Sequence, residues 1–325
     1  MLPPTFEDIV AARKFISQYL PKTPLVRIAK ISEELGCDYY AKLENLQPVG
    51  AFKVRGGVNL VGHVGTDGGS SRPTLITSST GNHGQSIAYG GRLFNTRVII
   101  YAPAENVNES KMQAMRDLGA EVRLHGRDFD ESRLETERVA REEGFRYVHS
   151  ANEPKLIAGV GTIGLEIFED LPDVEVIIAP AGGGSCASGN CIVARQLKPN
   201  VRVLAVQSEA APAMWHAWQN RTLDPYPTMK TEHEGLATRV PFELTNKILW
   251  ELLDDFVLVT DEEINQAIRL LARDAKQVAE GAGAASLAAA VKLRDQLRGK
   301  KVVGILTGGN IALERFAALL AHARL

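Results

Sequence analysis

Cysteine is scarce in this chain. Cys37, Cys186 and Cys191 have neither the paired spacing of a zinc site nor the even count of a disulfide framework. That points to a reducing compartment, and a cytoplasmic location is the expectation. An excess of one charge is also lacking: 37 basic residues face 39 acidic ones, for a net charge of −2. No basic patch argues for nucleic acid, and no acidic tail argues for a cationic partner. No uncharged apolar run of about 18 residues occurs, so no membrane span is expected. The N-terminal Met1-Leu2-Pro3-Pro4-Thr5-Phe6-Glu7-Asp8 has no basic n-region and no apolar h-region, so it does not read as a signal peptide. Internal repeats and low-complexity segments are missing as well.

What remains is an ordinary globular mix, 45% hydrophobic and 23% charged over 325 residues. It can bury a large core, and its length predicts about two domains. Thr5 to Leu20 reads as a helix capped by Thr5 with Asp8 three residues on, and stopped at Pro21. Residues 65–73 are rich in Gly, Ser and Asp and predict a surface loop. From Thr74 onward, short apolar strands alternate with helices as far as Val206. That alternation predicts a parallel sheet covered by helices on both faces. The pattern breaks between Glu209 and Glu243, a stretch with Trp215, Trp218 and four prolines. It predicts an irregular cover that walls a substrate site or simply closes the fold. A helix from Asp261 to Ala279 follows, then a small-residue helix, a strand Val302 to Leu306, and a final helix opened by Thr307-Gly308-Gly309-Asn310.

Four constellations carry chemistry. Gly50-Ala51-Phe52-Lys53-Val54-Arg55-Gly56-Gly57 sets one lysine between a strand and a short helix. Such a lysine forms a Schiff base with an aldehyde if burial lowers its pKa; otherwise it is a surface residue. Pro180-Ala181-Gly182-Gly183-Gly184-Ser185 follows an apolar strand and opens a helix, as a phosphate cradle does. No Gly-Lys-Ser/Thr follows, which excludes a Walker loop. A dinucleotide fingerprint, with Glu209 beyond the next strand as the ribose acid, and a tight structural turn stay open. Thr77-Ser78-Ser79-Thr80-Gly81-Asn82-His83-Gly84-Gln85 is a second strand-to-helix junction. It suits a carboxylate, with Asn82 able to donate to a ring oxygen, or is an N-cap cluster. Thr307 supplies a neutral hydroxyl at a third strand end. A Schiff-base lysine, a phosphate cradle, a carboxylate cradle and a ring-oxygen donor together describe pyridoxal 5′-phosphate bound for amino-acid chemistry.

With those motifs in place, together with Lys42-Leu43-Glu44, the chain resembles the fold-type II (tryptophan synthase β-like) pyridoxal-phosphate enzymes over nearly its whole length. The likeness is to the serine/threonine dehydratase and serine racemase branch. The resemblance implies an α/β fold of two open parallel-sheet domains. A small domain, residues 74–150, would be inserted in a large cofactor-binding domain, residues 1–73 and 151–325, with no C-terminal regulatory domain. It implies Lys53 as the catalytic lysine. Cofactor contacts would come from Asn82, Ala181, Gly182, Gly183, Gly184, Ser185, Gly235 and Thr307. Ser79, Thr80, Gly81 and His83 would meet the substrate carboxylate. The implied activity is β-elimination from L-threonine, L-serine or a related β-hydroxy amino acid, giving a 2-oxo acid and ammonia. A racemase with side elimination is the alternative, as is a dehydratase of a larger substrate such as hydroxyaspartate, phenylserine or a hydroxyectoine-derived amino acid. The rival from another class is a non-catalytic nucleotide-binding protein using the Gly182 loop. Thr80 stands where racemases carry a serine, and Gln207 and Ala213 stand where the metal-binding branch carries acids, so no metal is expected there. The resemblance also implies a homodimer and a small-molecule amino-acid substrate.

Overall fold

The computed structural model describes residues 1–65, 72–105 and 108–321. Most of the loop expected at 65–73 lies outside the described residues. The first part of the chain forms α1 (Phe6–Ile16), β1 (Leu25–Arg27), α2 (Ala29–Leu35), β2 (Asp38–Leu43) and α3 (Lys53–His63). A second run follows: β3 (Leu75–Ser78), α4 (Asn82–Leu93), β4 (Val98–Ala102), α5 (Glu109–Asp117), β5 (Glu121–Leu124), α6 (Phe129–Glu143) and β6 (Arg146–Tyr147). The third run opens with α7 (Pro154–Asp170), β7 (Val176–Pro180), α8 (Ser185–Leu197), β8 (Arg202–Ser208) and α9 (Ala213–Asn220). It closes with α10 (Glu243–Leu252), β9 (Asp255–Val259), α11 (Asp261–Leu270), α12 (Gly281–Lys292), α13 (Arg294–Leu297), β10 (Lys301–Leu306) and α14 (Leu313–Ala321). At the start of α1, Thr5 and Asp8 form the reciprocal capping box that their spacing predicts.

Two sheets result. The larger has strand order β1-β2-β10-β7-β8-β9, and the smaller has β5-β4-β3-β6. Every pairing is parallel except the β1 edge. Strands β7 and β3 are buried along their whole length, as strands covered on both faces must be. In the large sheet the chain winds from β7 out through β8 to β9, and then returns to the other side of β7 as β10. Its order therefore reverses between β7 and β10, and the loops leaving those two strands diverge. Open α/β sheets form their ligand crevice at such a point, beyond the strand C-termini. Among the described residues, no helix is long and apolar enough to cross a membrane.

Two expected helices are cut short. Residues Asp261 to Ala279 do not form one helix: α11 ends at Leu270, a π-helical turn covers Leu271–Ala275, and Lys276 turns back at φ +55°. The chain is then tied to the end of β10 by Glu280 N–H donating to Gly308 O at 3.1 Å. Likewise residues 307–310 do not open the last helix, which begins at Leu313. Long-range hydrogen bonds outweigh local helix propensity at both places.

Behind the crevice lies a fully buried charge cluster. Arg55 donates to Glu44 through Nε (2.7 Å) and Nη2 (2.8 Å), and to Glu166 through Nη1 (2.8 Å) and Nη2 (2.8 Å). Lys42 Nζ meets Glu166 at 2.6 Å and also donates to Thr23 O at 2.6 Å. The four charged side chains are at most 1% exposed. Within the buried set two cations balance two carboxylates, and the half-buried Arg13 also meets Glu166 at 3.1 Å. Burial alone would raise the Glu166 carboxyl, but hydrogen bonds and charge from Arg55 and Lys42 hold it below its usual range. Removing one partner strands an uncompensated charge. Arg55→Ala is therefore expected to lower unfolding stability by about 3–5 kcal/mol, read from urea denaturation midpoints. A loss below about 1 kcal/mol would show that the cluster tolerates an unpaired charge.

Candidate active site

The chain enters the site through Gly50, whose φ of +67° turns it toward α3. Phe52 N–H then donates to Thr307 O at 2.9 Å, and Ala51 bridges Gly308. These contacts pin the first residue of α3, Lys53, beside the end of β10. Its Nζ lies 5.2 Å from the centre of the Phe52 ring. No hydrogen bond or carboxylate partner holds that nitrogen among the described residues. Burial lowers the Lys53 pKa, and Cys186 and Glu280 only partly counter it. An unpaired amine of this kind is poised as a base or nucleophile.

The glycine loop is built to leave its N–H groups free. Thr238 Oγ1 donates to Gly182 O at 3.0 Å, and Thr245 Oγ1 donates to Gly183 O at 2.8 Å. With those carbonyls tied back, the N–H groups of residues 182–185 donate to no carbonyl among the described residues. A Cβ on Gly182 would sit 2.2 Å from Gly235 O, and Gly184 takes φ +85° at the start of α8. The loop therefore presents free donors at a helix N-terminus, which is an anion site. Ala181 takes no direct part: it is fully buried and its N–H donates to Val206 O at 2.9 Å.

Across the crevice stands the 79–83 loop. The Ser79 hydroxyl accepts from Gly81 N–H (3.1 Å) and Gly84 N–H (2.9 Å), so it caps α4. The N–H groups of Thr80, Asn82 and His83 stay without acceptors among the described residues. Thr77 Oγ1 donates to Val148 O at 2.8 Å and lies 3.0 Å from His83 Nε2. Its one proton being spent, it accepts from His83 Nε2, which therefore carries a proton. Burial, Lys53 and His149 push the His83 pKa down to about 3. His83 therefore offers an anion its backbone N–H and not an imidazolium. His149 holds its proton on the same ring nitrogen: its Nδ1 accepts from Ala151 and Asn152 N–H, both at 3.0 Å, and burial lowers its pKa to about 4.

Eight of the expected site residues converge on one cleft of about 950 Å³, whose lining does not include Ala181, Gly182, Gly184, Ser185 or Thr307. Lys53, Ser79, Thr80, Gly81, Asn82, His83, Gly183 and Gly235 line it. Thr307 is buried at the end of β10, and its hydroxyl makes no hydrogen bond among the described residues. Gly235 is held against the glycine loop because Asp261 anchors the segment before it. Asp261 accepts from Ser208 Oγ (2.6 Å), Thr231 Oγ1 (2.7 Å) and Glu232 N–H (2.9 Å). Glu232, His233 and Asp261 bring three ligand-type atoms within 4.8 Å, but these hydrogen bonds and the Glu232–Arg315 pair already engage them. Gln207 is also committed, accepting from Met214 and Trp215 N–H at 3.1 and 3.2 Å.

Two expectations need correction. Trp215 and Trp218 do not wall the cleft. They pack on the core of the large sheet, and Trp218 Nε1 donates to Leu249 O at 3.1 Å. Only the later part of that irregular stretch, residues 227–242, faces the cleft. Glu209 is exposed and outside the cleft, which removes the ribose acid of the dinucleotide reading. Among the cleft-lining residues that sequence reasoning missed are Glu280, Lys111 and His149. Glu280 falls between two expected helices and belongs to no motif, and the other two carry no local signal.

These residues fit pyridoxal 5′-phosphate: a half-buried amine without a partner, a glycine cradle that a Cβ would fill, and free N–H groups for two anions. The sequence matches the family described as pyridoxal-phosphate dependent enzyme over residues 16–308. The chain belongs to that family. It is a fold-type II enzyme that uses pyridoxal phosphate, and the nucleotide-binding alternative falls away. The chain is 38% identical to the L-threonine ammonia-lyase of Thermotoga maritima over 311 residues, 94% of this chain and 76% of that one. Its fold is similar to the processed threonine deaminase isoform 2 of Solanum lycopersicum, with a TM-score of 0.90 and 27% identity, covering 99% and 95% of the two chains. The serine racemase of Dictyostelium discoideum follows at TM-score 0.87 and 31% identity, covering 95% and 99%.

Two outcomes are expected. Gly182→Ala cannot keep its backbone against Gly235, so it should lose most bound cofactor, measured from the visible absorbance per protein. For His83 and His149, the folded pKa values lie below the ordinary 6.5. The unfolded chain therefore binds protons that the folded one refuses, and stability falls as pH drops from about 6.5 toward 4. A His83→Gln/His149→Gln variant should show a shallower fall in melting temperature over that window. An unchanged slope would mean that neither histidine is held neutral.

Proposed function

We propose that this lyase removes water from L-threonine and L-serine, releasing the 2-oxo acid and ammonia. The observation that carries the reading is the unpaired, half-buried Lys53 at the base of a cleft with an anion site on either side. The relatives named for threonine support the substrate class.

The chemistry supplied by the bound cofactor is electron withdrawal from the substrate Cα. The residues do the rest. In this reading the loop of Gly182, Gly183, Gly184 and Ser185, with Gly235 packed on it, holds the phosphate. Ala181 supports that loop from behind. The Thr307 hydroxyl faces the ring nitrogen as a neutral partner, and Asn82 donates to the ring oxygen. The substrate carboxylate meets the N–H groups of Thr80, Asn82 and His83 at the start of α4, with Ser79 shaping the loop and Gly81 leaving room. Lys53 Nζ, neutral because burial disfavours its charge, takes the α-proton. The β-C–O bond breaks, and the hydroxyl takes the proton that Lys53 Nζ removed from Cα and leaves as water. The enamine released takes up water again to give the 2-oxo acid and ammonia, so the overall change is deamination.

The same reading has the enzyme acting as a homodimer in a reducing cytoplasm. The second point is supported by three free, buried thiols, Cys37, Cys186 and Cys191.

Purified protein assayed with L-threonine, L-serine and larger β-hydroxy amino acids tests the proposal. Rapid 2-oxo acid and ammonia formation from the first two is expected. In Lys53→Ala the rate should fall by at least about 10³-fold, since base and attachment point are lost together. Turnover confined to a larger substrate would overturn the substrate assignment. Dominant formation of the D-isomer would make Thr80 a second proton carrier and the enzyme a racemase.

A further inference from the structure

Glu280 belongs to none of the sequence motifs, yet it lines the cleft and ends a chain of three hydrogen bonds. The chain starts at a group whose polarity is certain. Val49 O can only accept, and Asn310 Nδ2 donates to it at 2.8 Å. That fixes which end of the Asn310 amide carries nitrogen. The same Nδ2 donates its other proton to Asn82 Oδ1 at 2.7 Å. Asn82 Oδ1 is thereby assigned as well, and Asn82 Nδ2 must lie on the opposite branch. There it donates to Glu280 Oε1 at 2.7 Å. One N–H of Asn82 is left, and Asn82 lines the cleft.

Glu280 is itself held tightly. Its N–H donates to Gly308 O, and a Cβ on Gly308 would lie 2.4 Å from Glu280 Oε1. The ionisable groups facing it are Lys53 from α3, Lys111 from α5 and Glu234 from the segment before Gly235. Burial raises its carboxyl pKa to about 7, against Lys111, the Asn82 hydrogen bond and Lys53. A carboxyl accepts from an amide through one oxygen whether or not it carries a proton.

Resting on the cofactor reading above, we propose that Glu280 is a positioning residue for the cofactor's ring oxygen. It acts through Asn82, as the acceptor that keeps one amide N–H turned into the cleft. What the site needs from residue 280 is an oxygen at the right reach, not a negative charge.

A double-mutant cycle on the pyridoxal-phosphate holoenzyme tests this, read as the cofactor Kd and the visible spectrum. Glu280→Ala should raise the Kd about tenfold and displace the visible band, the effect of losing one buried acceptor. Glu280→Gln, which can present an amide oxygen in the same place, should stay within about twofold of wild type. Glu280→Asp keeps the acid but loses the reach and should behave like Glu280→Ala. It carries the test if the alanine variant does not fold. On an Asn82→Ala background, Glu280→Ala should weaken binding no further, because its action runs through the missing amide. Multiplicative losses in the double variant, a glutamine variant as impaired as the alanine one, or an aspartate variant with wild-type Kd would each overturn the proposal. Asn82→Ala with unchanged Kd and spectrum would overturn it too, by removing the ring-oxygen contact. A wild-type protein that takes up no pyridoxal phosphate overturns the cofactor reading along with it.

Discussion

Arg55 brings a rigid fork of donors into a space lined by Glu44 and Glu166, and four of its hydrogen bonds close on those carboxylates. The consequence reaches Lys53 through the geometry of a helix. Residues two apart on α3 point roughly 200° away from each other. With Arg55 locked toward β2 and α7, Lys53 has to face the other way. A surface ion pair could not set a helix rotation in this manner, since it is worth little and shifts freely. A buried, fully paired one can, because every misorientation leaves a charge unpaired in a dry interior.

The chain turns two lysines inward and treats them oppositely, Lys42 fully buried and Lys53 half-buried. Lys42 has Glu166 and the Thr23 carbonyl at 2.6 Å and serves the scaffold. Lys53, eleven positions later, has no such partner. The difference is in neighbours, since the residue type is the same, and it separates a structural cation from a reactive amine. The same contrast runs through the histidines. His83 and His149 are kept neutral by burial, so each has a defined tautomer and neither brings positive charge to the cleft.

The cleft is roofed from both sheets. Lys111 on α5 reaches Glu234 at 2.5 Å, and Arg239 pairs with Asp130 on α6. Both pairs join the smaller sheet's layer to the 227–242 segment of the larger unit. That segment is irregular in sequence because it answers to these contacts and to Asp261, and not to a helix or strand repeat. Its role was only half visible beforehand: the prolines and lack of period marked a cover, but the tryptophans drew attention to the part that packs on the core.

The sequence alone determined the class of the fold. Alternating apolar strands and helices leave no other layered arrangement, and glycines and hydroxyls at strand exits mark where N–H groups lie free. Lys53, Asn82 and the glycine loop were legible for that reason, since each sits in a local pattern whose chemistry is local. The tertiary structure alone decided which pieces meet. It broke an apparent helix at Lys276 to deliver Glu280 and drew Asn310 out of another to orient Asn82. The orientation of Asn82 rests on hydrogen bonds between residues about 200 positions or more apart, to Glu280 and Asn310. Local propensity contains no term for such contacts, so only the folded chain could settle them.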